Sequence, residues 1–151
     1  MTMFRCAACG AFNRVPEPPP PGAPTCGRCQ RPLDLSGAPQ EVDGDGLHRA
    51  MASSPVPVLL DLWAPWCGPC RVAGPILDEV GRANPGKMLV LKLNTEAHPR
   101  AASELNVRGI PTFIVYAGGR EVARRSGVLP RPDLERWVAS ATQGSAAGAT
   151  A

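Results

Sequence analysis

Six cysteines fall into three Cys-x-x-Cys pairs, Cys6/Cys9, Cys26/Cys29 and Cys67/Cys70. The first two pairs enclose 16 residues near the N-terminus, a spacing that suits four thiolates closing around one tetrahedral metal ion. The third stands alone in Trp66-Cys67-Gly68-Pro69-Cys70, with no further pair or nearby histidine to complete a second metal site. A pair so placed is expected to do redox chemistry. The cysteines thus divide into one metal centre and one dithiol.

The dithiol's chemistry depends on where a helix begins. A cysteine in the first turn feels unpaired backbone amides and the positive end of the helix dipole, both of which favour thiolate over thiol. Cys67 is expected there. Cys70, three residues on, lies on the same face within bonding reach and is shielded by the helix. Pro69 presets φ near the helix start, and Gly68 lets another chain approach closely. Asp61 interrupts the apolar run Val58-Leu59-Leu60-Asp61-Leu62, and a carboxylate buried without partners is driven toward a pKa useful for proton transfer near neutrality. Lys92 is the one charge in Leu89-Val90-Leu91-Lys92-Leu93. Trp63 is expected to pack in the core, and His48 and His98 to face solvent.

The N-terminal cysteines are expected to hold zinc. A four-thiolate site has no vacant position, so the ion would be structural and would supply the folding free energy that so small a segment lacks. Disulfides among these cysteines, or iron in the same ligand set, are the alternatives.

The elements that position these groups follow from apolar patterning. Residues 1–34 form the metal-bearing segment, whose centre Pro16-Glu17-Pro18-Pro19-Pro20-Pro21 is neither helix nor central strand, because proline lacks the amide donor. A linker is expected over 35–41, the main domain over 42–142, and a disordered tail of Gly, Ser, Ala and Thr over 143–151. Within the domain, helices are expected around 45–53, from Cys67 toward Ala83, around 99–105 and from Arg131 to about Thr142. Strands are expected at 56–62, 88–94, 112–116 and 121–126. Near-continuous apolar runs in the first two strands mark a βαβ unit, and the Gly118-Gly119 turn an antiparallel hairpin. The result is an α/β fold, a mixed central sheet with helices on both faces.

Composition narrows the partners. The net charge of +3 is small: residues 1–34 carry four Arg against Glu17 and Asp34, and the basic residues beyond are nearly matched by acidic ones. No nucleic-acid or anionic-lipid footprint follows. The longest apolar stretch, Val56 to Trp66, is broken by Pro57, Asp61 and Pro65 and is far shorter than the ~20 residues that span a bilayer. No secretory leader is visible behind Met1-Thr2-Met3-Phe4-Arg5, so a cytoplasmic, monomeric protein with no membrane partner is expected.

Asp61-Leu62-Trp63-Ala64-Pro65-Trp66-Cys67-Gly68-Pro69-Cys70-Arg71 resembles the active-site segment of the thioredoxin family. Pro75, Gly109-Ile110-Pro111-Thr112, Gly119 and Gly127 extend the resemblance over roughly residues 42–142. It implies a thioredoxin fold and a protein-disulfide reductase in which Cys67 attacks, Cys70 resolves, Asp61 accepts the proton of Cys70 and Lys92 stands beside that aspartate. It further implies a cis peptide before Pro111 and a shallow substrate groove rimmed by Trp66, Gly68, Pro69, Ile110, Pro111, Gly127 and Val128. Disulfide-containing target proteins and a flavin-dependent thioredoxin reductase are the partners so implied. With Cys9-Gly10-Ala11-Phe12-Asn13-Arg14-Val15-Pro16 and Cys26-Gly27-Arg28-Cys29, the chain resembles the zinc-bearing thioredoxin-2 family. Gln30 departs from it, following the fourth cysteine where glycine is usual; a position favouring positive φ would strain glutamine. A zinc-ribbon module binding protein or nucleic acid on the same scaffold, or a disulfide isomerase or oxidase, are the rival functions.

Overall fold

The computed structural model describes residues 2–150, with side chains through residue 143. Among the described residues the strands form two sheets. The smaller pairs β1 (Thr2–Arg5) with β2 (Phe12–Val15), antiparallel. The larger has the order β3-β5-β4-β6-β7, from β3 (Gln40–Glu41), β4 (Val58–Trp63), β5 (Leu89–Asn94), β6 (Thr112–Ala117) and β7 (Arg120–Ser126). β3, β4 and β5 run parallel, while β6 turns back antiparallel to β4 and pairs with β7.

Parallel strands need a crossover, and α2 (Gly68–Ala83) supplies it between β4 and β5. Its buried residues Cys70, Ala73, Leu77, Val80 and Gly81 recur at helical spacing, and Ala73, Leu77 and Val80 meet Leu59, Val90, Phe113 and Val115 on one face of the sheet. Leu134 and Val138 of α4 (Arg131–Thr150) complete that layer. On the other face Leu60, Leu62, Leu91, Leu93, Ile114 and Tyr116 pack with Leu47 and Ala50 of α1 (Gly44–Ser53), and Ala101 of α3 (Pro99–Glu104) lies against them. α1 begins where the Asp43 carboxylate accepts the Gly46 amide at 2.7 Å. The β6–β7 turn uses two glycines with positive φ, Gly118 at 61° and Gly119 at 78°, the backbone that lets a two-residue loop follow the strand twist.

The main sheet and its helices are those expected, as is the fold class; two features differ. The span 35–41 is not linker throughout, because Gln40 and Glu41 pair with Leu91 and Lys92 as the edge strand β3. α4 does not stop near Thr142: the alanine-rich stretch expected to be a disordered tail continues it to Thr150, as alanine's helix propensity allows without an apolar stripe. Residue 151 lies outside the described residues. The N-terminal segment, whose position the sequence left open, packs against the main domain. Arg5 donates to the Gln40 side chain at 2.7 Å and receives the Gln40 side-chain amide at its carbonyl at 2.9 Å. The Met3 amide bonds the Gly86 carbonyl at 3.2 Å. Gly37 and Gly81 lie backbone to backbone, so close that a methyl group on either would collide with the other's carbonyl.

Candidate active site and metal centre

Cys67 is the N-cap of α2, one residue before the expected first turn. Its sulfur accepts the Cys70 amide at 3.2 Å, the contact that stabilises a thiolate there. Cys67 and Cys70 form a disulfide, with Cα atoms 5.2 Å apart. Both are buried, at 4% and 6% exposure, so the residues as wholes do not differ in access. Trp63, Ala64 and Ile110 pack around the pair.

The rim expected from the sequence is partly assembled around this disulfide. Trp66 stands out at 68% exposed, and Gly68 and Pro69 are exposed beside it. The Ile110–Pro111 peptide is cis, and the Pro111 carbonyl accepts the Gly127 amide at 3.0 Å, which ties the β7 exit to the loop before β6. Val128 is half-buried and packs against the core layer of α2 and α4. Such an exposed aromatic beside a buried disulfide gives an extended chain a surface to lie on.

Asp61 of β4 is fully buried, with neither carboxylate oxygen bonded to a described protein group. It follows Leu59 by two residues and pairs with Phe113, so its side chain points to the sheet face covered by α2. Burial pushes its pKa up to about 7, the nearby Lys92 pulls it down and Glu41 pushes it further up. Lys92, in register with Asp61, lies over the Trp63 ring with its ammonium 4.8 Å from the centroid. Trp63 is thus half-buried beside the site as well as a packing residue. Glu41 was not singled out by sequence reasoning, since a two-residue strand has no readable period.

At the other centre the sulfurs of Cys6, Cys9, Cys26 and Cys29 all lie within 4.8 Å of one another. Cys6–Cys29 and Cys9–Cys26 approach to 3.6 Å. Four ligands at zinc–sulfur bond length have sulfurs about 3.8 Å apart, so the residues present fit a tetrahedral ion. The two knuckles share one geometry. Gly10 and Gln30 donate to the Cys6 and Cys26 carbonyls, each at 2.8 Å, with φ of 81° and 68°. Gln30 therefore occupies the left-handed conformation that its departure from glycine put at issue. The Cys29 and Arg28 amides, with the Asn13 side chain, lower the Cys26 thiol to about 6. At Cys29 the Arg31 amide pulls down, but burial and the other three sulfurs outweigh it and push the thiol up to about 11. Four sulfurs this close share negative charge readily only around a cation. Asn13, whose amide donates to Cys26 at 3.5 Å, also went unnoticed in the sequence, where nothing separates it from a turn residue.

A Cys-x-x-Cys disulfide capping a crossover helix on a mixed sheet defines a thiol–disulfide oxidoreductase. The thioredoxin family model matches residues 39–140. Thioredoxin C-3 of Corynebacterium nephridii is 42% identical over 133 residues, 88% of this chain and 90% of that protein. That alignment is longer than everything beyond Ala38, so it reaches into the N-terminal segment. Thioredoxin 1 of Nostoc sp. is 40% identical over 104 residues, 69% of this chain and 96% of that protein. The solved structure of a mutant thioredoxin from Halobacterium salinarum superposes with TM-score 0.66 at 27% identity, covering 72% of this chain and 95% of that one. The chain belongs to the thioredoxin family and is a protein-disulfide oxidoreductase. None of its described helices is long and apolar enough to cross a membrane.

Proposed function

We propose that the protein is a cytoplasmic protein-disulfide reductase of the zinc-bearing thioredoxin-2 type. The observation that carries the reading is Cys67 at the cap of α2, its sulfur held by the Cys70 amide, on the helix that covers the sheet face to which the unpartnered Asp61 belongs. In the dithiol form the Cys67 thiolate attacks a target disulfide, a mixed disulfide forms and one target thiolate leaves. Asp61 takes the proton of Cys70, whose thiolate then attacks the Cys67 sulfur. The Cys67–Cys70 bond forms and the second target thiolate departs, so two electrons pass to the target. Trp66, Gly68, Pro69, Ile110, Pro111, Gly127 and Val128 receive the target as an extended strand, and Lys92 tempers the charge of Asp61. A thioredoxin reductase returns two electrons and two protons.

Zinc is the metal best suited to the N-terminal site, which four thiolates close without an open position. Bound there by Cys6, Cys9, Cys26 and Cys29, it holds the two knuckles together and takes no part in electron transfer.

Insulin reduction with dithiothreitol as electron donor tests the redox assignment. Cys67→Ser is expected to abolish turnover, and Cys70→Ser to trap targets as mixed disulfides. Adducts on Cys67→Ser but not on Cys70→Ser would reverse the roles. Full activity in both variants would remove the reductase reading.

A further inference from the structure

Asp61 is fully buried, and no described protein group hydrogen-bonds either of its carboxylate oxygens. Charged residues continue from it across the sheet. Asp61 pairs in parallel register with Lys92, and Lys92 with Glu41. Register partners in parallel strands present their side chains to the same face, so the three form one row across β4, β5 and β3. The row ends at the sheet edge, where Glu41 is exposed and Asp61 is not.

β3 is only two residues long, yet it is tied on both sides of Glu41. The Val42 amide bonds the Lys92 carbonyl at 2.9 Å, and Gln40 exchanges two hydrogen bonds with Arg5. The backbone of Glu41 is therefore held in register beside Lys92. Lys92 in turn forms no ion pair within 4 Å among the described residues; its ammonium sits over the Trp63 ring.

Resting on the proton-transfer role given to Asp61 above, we propose that Glu41 is a positioning residue for disulfide resolution, the solvent-facing end of an Asp61–Lys92–Glu41 row that governs how Asp61 gains and loses its proton. Other charged or titratable groups bear on the row. Cys67 and Cys70 lie at the start of α2, the helix that covers this face, His98 bears on Glu41 from the start of α3, and Arg125 lies on β7 in register with Phe113, the partner of Asp61. Among them Glu41 and Lys92 are the pair acting directly on Asp61, with opposite signs. Removing the negative charge of Glu41 relieves its repulsion of ionised Asp61 and leaves Lys92 to favour that form.

The test uses the full chain, reduced and zinc-loaded, with carbon-13 in the aspartate carboxyls. The Asp61 resonance, assigned by its loss in Asp61→Asn, is titrated in wild type, Glu41→Gln and Glu41→Asp, and the pH profile of insulin reduction is recorded beside it. Glu41→Gln is expected to move both midpoints acidward together, by about half a pH unit. Glu41→Asp, which keeps the charge, should restore most of the shift. An unmoved or alkaline-shifted Asp61 midpoint in Glu41→Gln overturns the proposal, as does a lowered melting temperature with the midpoint unchanged, which would reduce Glu41 to a strand anchor. Failure of the underlying reading looks different: Asp61→Asn would then leave the wild-type rate profile untouched.

Discussion

Asp61 and Gln30 each hold a conformation or charge state that their residue types disfavour, and each therefore carries a measurable cost. An ordinary aspartate ionises near pH 3.8, but burial raises Asp61 in the folded state to about 7. Its contribution to stability is fully present below the unfolded value, declines as pH rises, and is gone above the folded value. At 1.36 kcal/mol per unit, the difference between pH 4 and pH 8 is on the order of 4 kcal/mol. Urea melts of wild type should show that loss across this window, and Asp61→Asn should flatten it and be the more stable protein at pH 8. The same variant should slow resolution of mixed disulfides. Gln30 holds φ at 68°, where glycine is free of penalty and other side chains lose about 1 kcal/mol. Gln30→Gly should raise the temperature at which the metal-bound segment melts, and a lower one would mean that the glutamine side chain makes a compensating contact.

At the scale of elements, α2 links both ends of the molecule. Its N-terminus carries the disulfide and its last turn receives the segment around Gly37. Gly81 sits inside this helix, where alanine ordinarily stabilises by about 1 kcal/mol. Gly81→Ala should do the reverse, because the new methyl group would meet the Gly37 carbonyl. A fall of a few kcal/mol in thermal or urea unfolding is expected. A gain would mean that the Gly37 segment lifts away at no cost. β3 is held by its pairing with Leu91 and Lys92 and by the Gln40 bonds to Arg5.

For the molecule as a whole, the cysteine segment behaves as a part of the fold's outer wall. Arg5, Phe4 and Thr2 reach the rest of the fold through Gln40 and Gly86, and Lys87 pairs with Glu17 at 3.5 Å. That surface ion pair is worth little, and the part-buried Arg5–Gln40 bonds count for more. Chelation of the metal-loaded chain should remove one equivalent of zinc, expose amides of residues 2–34 to hydrogen exchange and lower the melting temperature of the remainder. Insulin reduction by the chelated chain should persist at moderate temperature. A protein purified reduced and without metal, or one that loses all turnover on chelation, would contradict a structural role for the ion.

Much of this was legible beforehand. Apolar runs and cysteine spacings act over a few residues, so Val58–Trp63, Leu89–Asn94, the dithiol and the four-cysteine cluster could be placed from local pattern alone. Asp61 could be singled out because a charge in an apolar run is visible without knowing its neighbours. What the local pattern could not carry was which distant segments meet. β3 exists only because Gln40 and Glu41 find Leu91 and Lys92, and two residues have no period of their own. Arg5 reads as a surface cation until Gln40, thirty-five positions away, buries it. The approach of Gly37 to Gly81, and the row from Asp61 to Glu41, are likewise contacts between separate stretches of chain. Their geometry is set by how the strands register and how the helix lies across them, which only the folded molecule decides.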